Sequence, residues 1–142
     1  MSKLELNQKK MEIRNIRVED IDVILALQKI CFAGMIPWKR EHLESHLEIF
    51  PEGQFCVEYD SEIIGSCASL LVNFDEYDDR HTLDDISDEG YIRNHDPEGF
   101  NLYGIEVMVH PDYRRMKISR RLYEARQDLA RQLNIKSIIL GG

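Results

Sequence analysis

The sequence has few of the residues that support disulfide frameworks, metal clusters or membrane spans. Its three cysteines, Cys31, Cys56 and Cys67, are an odd number without metal-type spacing. No apolar run approaches the roughly 18 residues that a membrane span needs. Residues 1–10 are polar and charged and contain no hydrophobic signal core. We therefore expect a cytoplasmic protein with reduced thiols, no bound metal and no membrane contact.

Positive charge is also scarce. Lysine and arginine number 18 against 26 aspartates and glutamates, which leaves a net charge of -8. Because nucleic-acid binding needs a basic surface, this balance argues against it. A length of 142 residues with 43% apolar residues fits one globular domain. We expect an N-terminal extension at 1–10 and a single domain at 11–142.

Hydrophobic periodicity predicts the order strand, helix, helix, strand, strand, excursion, strand, helix, strand. The predicted strands are 11–16, 55–59, 63–72, 102–109 and 137–140. The first helix takes its apolar face from 21–31, including Ile30, and the second opens at Pro37. Apolar residues from Ile118 to Leu133 predict a long last helix, which Asn134 caps. The link at 60–62 is too short for a parallel crossover, so it predicts a hairpin.

The excursion at 75–99 holds ten acidic residues against Arg80 and Arg93. A loop this long is uncommon without a role. One interpretation is a lid or substrate-selecting loop. The other, which we favour, is a solvated insertion or a partner contact. The spacing of the acids does not match a calcium loop, so no metal is assigned.

Residues 107–122 contain the most informative pattern, because an apolar strand enters a tight turn and then a long helix. The first N–H groups of a helix lack partners, and the helix dipole adds positive charge there, which suits a pyrophosphate. Five cations surround this turn: Arg114, Arg115, Lys117, Arg120 and Arg121. The alternative is a solvated basic helix start, although cations are unfavourable at that end of the dipole.

The run Val109-His-Pro-Asp-Tyr-Arg114, with Ile118, Ser119 and Leu122 after it, resembles the acetyl-CoA signature of the GNAT acetyltransferases. Arg114 fits the first position of that signature, whereas Lys117 stands where the family has glycine. The resemblance implies an α/β (α+β) GNAT fold, with a mixed, mostly antiparallel sheet flanked by helices. It implies that backbone amides hold the CoA pyrophosphate at Arg115, Met116, Lys117, Ile118, Ser119 and Arg120. It also implies that Val107, Met108 and Val109 pair with the pantetheine arm.

The same resemblance implies direct acetyl transfer from acetyl-CoA, as co-substrate, to a primary amine of unknown identity. Such a transfer needs a general base. Glu106 is the first candidate, with the alternative that it faces solvent. Tyr103 and His110 are weaker candidates, and His110 has the alternative role of shaping the turn. A backbone N–H near Val107 or Met108, where the family's strands part, would stabilise the developing oxyanion.

Segments 101–111 and 120–126 resemble, more closely, the N-terminal GNAT domain of bacterial proteins that continue into a carbon–nitrogen hydrolase (nitrilase-like) domain. None of that second domain is present in the sequence, so no hydrolase chemistry is assigned. The family fold usually continues after its last strand here with a helix and two strands. We therefore expect a fragment with missing C-terminal elements, or a homodimer that completes the exposed edge.

Two smaller groups of residues have competing interpretations. His42 and His46 share a helix face, which is compatible with zinc, but no third ligand is evident. Met35 and Trp38 are expected either to border the acceptor or only to pack. Besides the acetyltransferase, two other functions fit the sequence: a non-catalytic CoA-binding or partner-docking domain, and a nucleic-acid binder at the basic turn, which the overall acidity disfavours.

Overall fold

A computed structural model of the chain describes residues 11–31, 38–77 and 82–140. The described strands are β1 (Met11–Asn15), β2 (Phe55–Tyr59), β3 (Glu62–Val72), β4 (Asn101–Val109) and β5 (Ser137–Leu140). The described helices are α1 (Ile21–Cys31), α2 (Arg40–Ile49), α3 (Leu83–Ser87) and α4 (Ile118–Gln132). None of these helices is long and apolar enough to cross a membrane. The expected extension at 1–10, the role of Met35 and the helix start at Pro37 lie outside the described residues.

The five strands form one sheet in the order β1-β2-β3-β4-β5. All neighbouring pairs are antiparallel except β4 and β5, which are parallel. The expected mixed, mostly antiparallel sheet is therefore confirmed. The β2–β3 hairpin is also confirmed, and its two turn residues, Asp60 and Ser61, have φ angles of 52° and 68°. Positive φ at both positions matches the twist of the flanking strands.

The helices lie on both faces of the sheet. On one face, α1 and α2 pack around Ile21, Ile24 and Met108. On the other face, Ile118 and Leu122 of α4 pack against β2 and β3. The sheet is thus buried on both sides over its central strands, which explains why β3 reads as a nearly continuous apolar run.

The apolar face predicted for α1 was wrong at one position. Ile30 is 53% exposed, whereas Gln28 is buried. Gln28 lies on the inner face at helical spacing from Ile21 and Ile24, and its amide is satisfied there. Its Nε2 donates to the backbone oxygen of Trp38 at 2.8 Å, and the Trp38 N–H donates to its Oε1 at 2.7 Å. A polar side chain is stable in such a position because both of its groups are bonded.

The last helix ends one residue earlier than its apolar spacing predicts. Leu133 follows the end of α4 and is 41% exposed. Asn134 has φ 56°, and the N–H of Ile135 donates to the oxygen of Ala130 at 2.8 Å. This geometry closes the helix in the way that a left-handed residue allows. The predicted Asn134 cap is confirmed.

The excursion is part of the core in its described portion, so its interpretation as a solvated insertion was wrong. Ile86 and Ile92 are fully buried. The N–H of Asp96 donates to the oxygen of Leu71 at 2.8 Å, and the Leu71 N–H donates to His95 Nδ1 at 2.9 Å. These bonds fix the excursion to β3. Its expected roles as a lid or a partner contact stay predictions.

Candidate functional site

Among the described residues, strand β4 has an open edge along its second half. It pairs with β3 along its whole length, but within the described part of the chain it pairs with β5 only from Asn101 to Gly104, where β5 reaches Leu140. The N–H of His110 bonds to the Ile64 oxygen of β3. Because backbone groups alternate in direction along an antiparallel strand, those of Val107 and Val109 point to the open edge. The edge can therefore receive an extended chain beside Val107, whose side chain is 38% exposed.

The turn after β4 leaves the start of α4 without a cap. A 3-10 segment at Pro111–Met116 leads to Lys117, which has φ 57° and ψ 38°, and α4 begins at Ile118. No side chain in the described part of the chain caps the helix, and its first turn holds no acid. The first N–H groups of α4 therefore lack partners within the helix and face the same way. This is the geometry of an anion site.

Five cationic side chains surround that helix start, and all are exposed: Arg114, Arg115, Lys117, Arg120 and Arg121. Arg120 lies 3.6 Å from Glu124, and the other four form no ion pair within the described part of the chain. Their charges are available to a phosphate. By contrast, the side chains of Met116 and Ile118 pack into the core with Tyr113 and Leu122. Of the predicted cofactor residues, these two offer only their backbone.

His110 holds the turn in shape. Its Nδ1 accepts the Asp112 N–H at 3.1 Å, and its ring stands edge-on to Tyr113 at 5.4 Å. The ring of Tyr113 also meets Tyr59 of β2 at 5.8 Å. These contacts account for His110 as the residue that shapes the turn.

Glu106 lies on the face of β4 that packs against α1 and α2, and it is largely buried. With Ile24, Leu43 and His46 it lines a cavity of about 10 Å³, close to the space that one water molecule needs. Burial raises the pKa of Glu106 from 4.5 to about 7, against the opposing effects of Trp38 and Arg126. The alternative that Glu106 faces solvent is therefore wrong. A carboxylate with this pKa is suited to take a proton at neutral pH.

Trp38 lies beside Glu106 and is held there by Gln28. Its indole N–H lowers the pKa of Glu106 but makes no hydrogen bond of regular geometry with any described residue. The indole ring also meets His42 and His46 edge-on, at 5.4 and 5.2 Å. Trp38 thus has the packing role expected for it, and its contact with the acceptor stays a prediction.

His42 and His46 serve the packing of α2 against the excursion. The Nε2 of His46 lies 2.6 Å from the Gly90 oxygen, and burial lowers its pKa to about 4. The His42 ring lies 4.4 Å from that of Tyr91. No group of three possible metal ligands occurs among the described residues. These contacts give both histidines a structural role.

Tyr103 lies in the stretch of β4 that is still paired with β5, opposite Ile139. It is buried against Phe74, at 6.1 Å between ring centroids, and burial raises its pKa. This placement is away from the open edge. Its role as an acid or base stays a prediction, and the structure brings only Glu106 to the edge and the cavity together.

Arg126 is a residue of the site that sequence reasoning missed. It is 1% exposed and lies on the α4 side of the sheet, where its Nη2 donates to the backbone oxygen of Glu106. The signal for it was its position, four residues after Leu122 and three before Leu129, on the inner stripe of the helix.

Residues 21–141 match the model of the Acetyltransferase (GNAT) family. The chain belongs to the GNAT acetyltransferase family. Two proteins of Bacillus subtilis (strain 168) are similar to it. "Probable hydrolase YhcX" is 72% identical over 142 residues, which are 99% of this chain and 28% of that protein. "Uncharacterized N-acetyltransferase YkwB" is 34% identical over 136 residues, which are 93% of this chain and 60% of that protein. The chain therefore spans less than two thirds of either relative.

Solved structures of the GNAT type share the fold. The loading GNATL domain of CurA from Lyngbya majuscula superposes with a TM-score of 0.79 at 20% identity, covering 92% of this chain and 64% of that one. The GphF GNAT-like decarboxylase in complex with isobutyryl-CoA gives 0.69 at 21% identity, covering 80% and 55%. The expected GNAT fold is thus confirmed, and acyl transfer is the general chemistry of this family.

Proposed function

We propose that this GNAT domain transfers an acetyl group from acetyl-CoA to a primary amine, with Glu106 as the general base. The observation that carries the proposal is the raised pKa of Glu106, about 7, on the strand whose edge is open. That edge leads directly into the uncapped, cation-rich start of α4. A base, a docking edge and a phosphate site thus follow one another along one continuous segment.

In this proposal the CoA pyrophosphate binds the backbone amides from Arg115 to Arg120, and the exposed cations add charge. The pantetheine arm pairs with Val107 to Val109 as an added strand. One carbonyl on this edge, that of Val109, already accepts the Cys31 thiol at 3.3 Å. The arm therefore has its free backbone partner at Val107.

The reaction we propose is direct. The amine nitrogen attacks the thioester carbonyl carbon, and its proton passes to Glu106 directly or through one water. The negative charge on the carbonyl oxygen is stabilised by the Val107 N–H at the open edge. The carbon–sulfur bond then breaks, the CoA thiolate leaves and takes a proton from water, and Glu106 returns its proton to the solvent, which restores the carboxylate.

The test is an assay of acetyl-CoA with a panel of small amines and amine-bearing peptides, followed by loss of thioester absorbance and by mass analysis of the product. We expect acetylated product from some amines, and a large loss of rate in E106Q. CoA binding without turnover across the panel would support the alternative, a non-catalytic CoA-binding or partner-docking domain, which the family relationship does not favour.

Three further expectations belong to this proposal. The free thiols of Cys31, Cys56 and Cys67 support a cytoplasmic location. A homodimer that pairs across the outer edge of β5 also belongs to the proposal. A clean monomer in light scattering would refute the dimer. The carbon–nitrogen hydrolase domain implied by the resemblance also stays a prediction, with which the name of the 72% identical relative is compatible.

A further inference from the structure

Arg126 is a buried charge that forms no ion pair in the described part of the chain. It is 1% exposed, its Nε has no hydrogen-bond partner there, and its Nη2 donates only to backbone oxygens. Burying an arginine in this way is costly, and an apolar side chain of similar volume would often serve stability better. Packing alone does not explain the residue.

The two backbone oxygens that Arg126 binds belong to the two strands of a bulge. Its Nη2 lies 2.7 Å from the Ala68 oxygen of β3 and 2.8 Å from the Glu106 oxygen of β4. Ala68 pairs with Glu106, but the next residue of β3, Ser69, pairs with Gly104. Ile105 is therefore the extra residue of the bulge. The guanidinium joins both strands at the point where the register shifts.

The bulge decides which way Glu106 points. A Cβ on Gly104 would meet the Arg126 guanidinium, so position 104 faces α4. Met108, four residues later, packs with α1 on the opposite face. Regular alternation would put both on one face. The extra residue at Ile105 reverses the alternation and turns Glu106 away from α4, toward the cavity and Trp38.

We propose that Arg126 is a positioning residue for acyl transfer. By bonding both strands of the bulge, it holds the Glu106 carboxylate on the face of β4 that packs against α1 and α2, next to the open edge. The inference rests on the proposed function. Gly104 belongs to the same unit, because a Cβ there would stand 2.7 Å from Arg126 Nη1 and 2.8 Å from its Cζ.

Arg126 also places the charge that acts on Glu106. The Cys31 and Cys67 thiols and the His46 imidazole are neutral at pH 7, because burial raises the pKa of both thiols and lowers that of His46 to about 4. The positive charge of Arg126 lowers the pKa of Glu106 against the effect of burial. A neutral side chain at position 126 should therefore raise that pKa.

Two variants separate these effects. R126M removes the charge and the bonds, whereas G104A keeps the charge but displaces the guanidinium. R131M, on the exposed end of the same helix where Arg131 pairs with Asp128, is the matched control. The first readout is the titration of the Glu106 carboxyl carbon by NMR, assigned by comparison with E106Q, without substrate. The second readout is kcat against KM for acetyl-CoA, with thermal unfolding measured for every variant.

We expect R126M to titrate Glu106 at higher pH than the parent, and R131M to leave it unchanged. We expect kcat to fall roughly 10- to 100-fold in R126M and G104A, because a small misplacement of the catalytic carboxylate slows the reaction by about this much. KM for acetyl-CoA should change little. If R126M does not fold, G104A and R126K carry the test, and R126K should keep the parent's titration because it keeps the charge.

Two results would overturn the inference. One is an unchanged Glu106 titration in R126M together with parental kcat in G104A. The other is a loss of activity that follows thermal stability alone. If the parent chain itself acetylates no amine, the proposed function fails, but the titration still reports whether Arg126 sets the state of Glu106.

Discussion

Replacing Glu106 with glutamine should remove the part of the pH dependence of kcat/KM that comes from ionisation of Glu106. The pKa of Glu106 is raised from 4.5 to about 7 because burial disfavours the carboxylate. A change of this size corresponds to about 3 kcal/mol in favour of the protonated form. The active form is the carboxylate, so activity should rise with pH. About a tenth of the molecules are ionised at pH 6 and about nine tenths at pH 8, so ionisation of Glu106 should raise kcat/KM roughly tenfold between them, in addition to the effect of the acceptor amine's own titration.

The assay is the initial rate of thioester loss between pH 5.5 and 8.5, with one amine acceptor and with E106Q measured in parallel. General bases contribute roughly 100- to 10,000-fold, so E106Q should be at least about 100-fold slower at pH 8. Its profile should keep only the titration of the acceptor amine. A parental rate in E106Q, or the same limb near pH 7 in both proteins, would refute Glu106 as the base.

Three other changes test the surroundings of the site. W38F should raise the pKa of Glu106, because the indole N–H that favours the carboxylate is lost; an unchanged NMR titration would contradict this. K117G should be neutral or stabilising by up to about 1 kcal/mol in thermal unfolding, because glycine adopts the left-handed conformation without strain; a clear loss of stability would contradict it. H46N should flatten the loss of stability between pH 6.5 and 4, worth about 3 kcal/mol, because protonating the buried imidazole opposes folding; denaturant unfolding that follows the parent's pH dependence would contradict it.

The order of the elements was readable from the sequence because each follows a local rule. Alternation of apolar and polar residues predicted the strands of the hairpin. Apolar residues at helical spacing predicted α4, and Asn134 predicted where that helix ends. The errors came where tertiary contacts outweigh local pattern. Gln28 is buried because the Trp38 backbone satisfies its amide, which no helical period encodes. Ile86 and Ile92 of the acidic excursion are buried in the core, although the many charged residues around them in the sequence are typical of a solvated segment.

Some features of the candidate site were likewise predictable from the sequence, and others were not. The tight turn before α4 and its cations were predictable, since they form one contiguous motif, and phosphate binding there stays a prediction. The pKa of Glu106 was not predictable, because it depends on burial by residues from several elements. The contacts of Arg126 with both strands depend on a register shift between β3 and β4, and a register shift has no signature in a single strand.

The most direct test of the central claim is a calorimetric titration of acetyl-CoA into the purified chain, in low and high salt, with the parent and K117G. We expect micromolar binding by the parent, weakened by salt because exposed cations meet the phosphates. K117G should still bind, since the backbone of the turn supplies the site. An absence of binding by both proteins would contradict the claim that this turn and open edge form an acyl-CoA site.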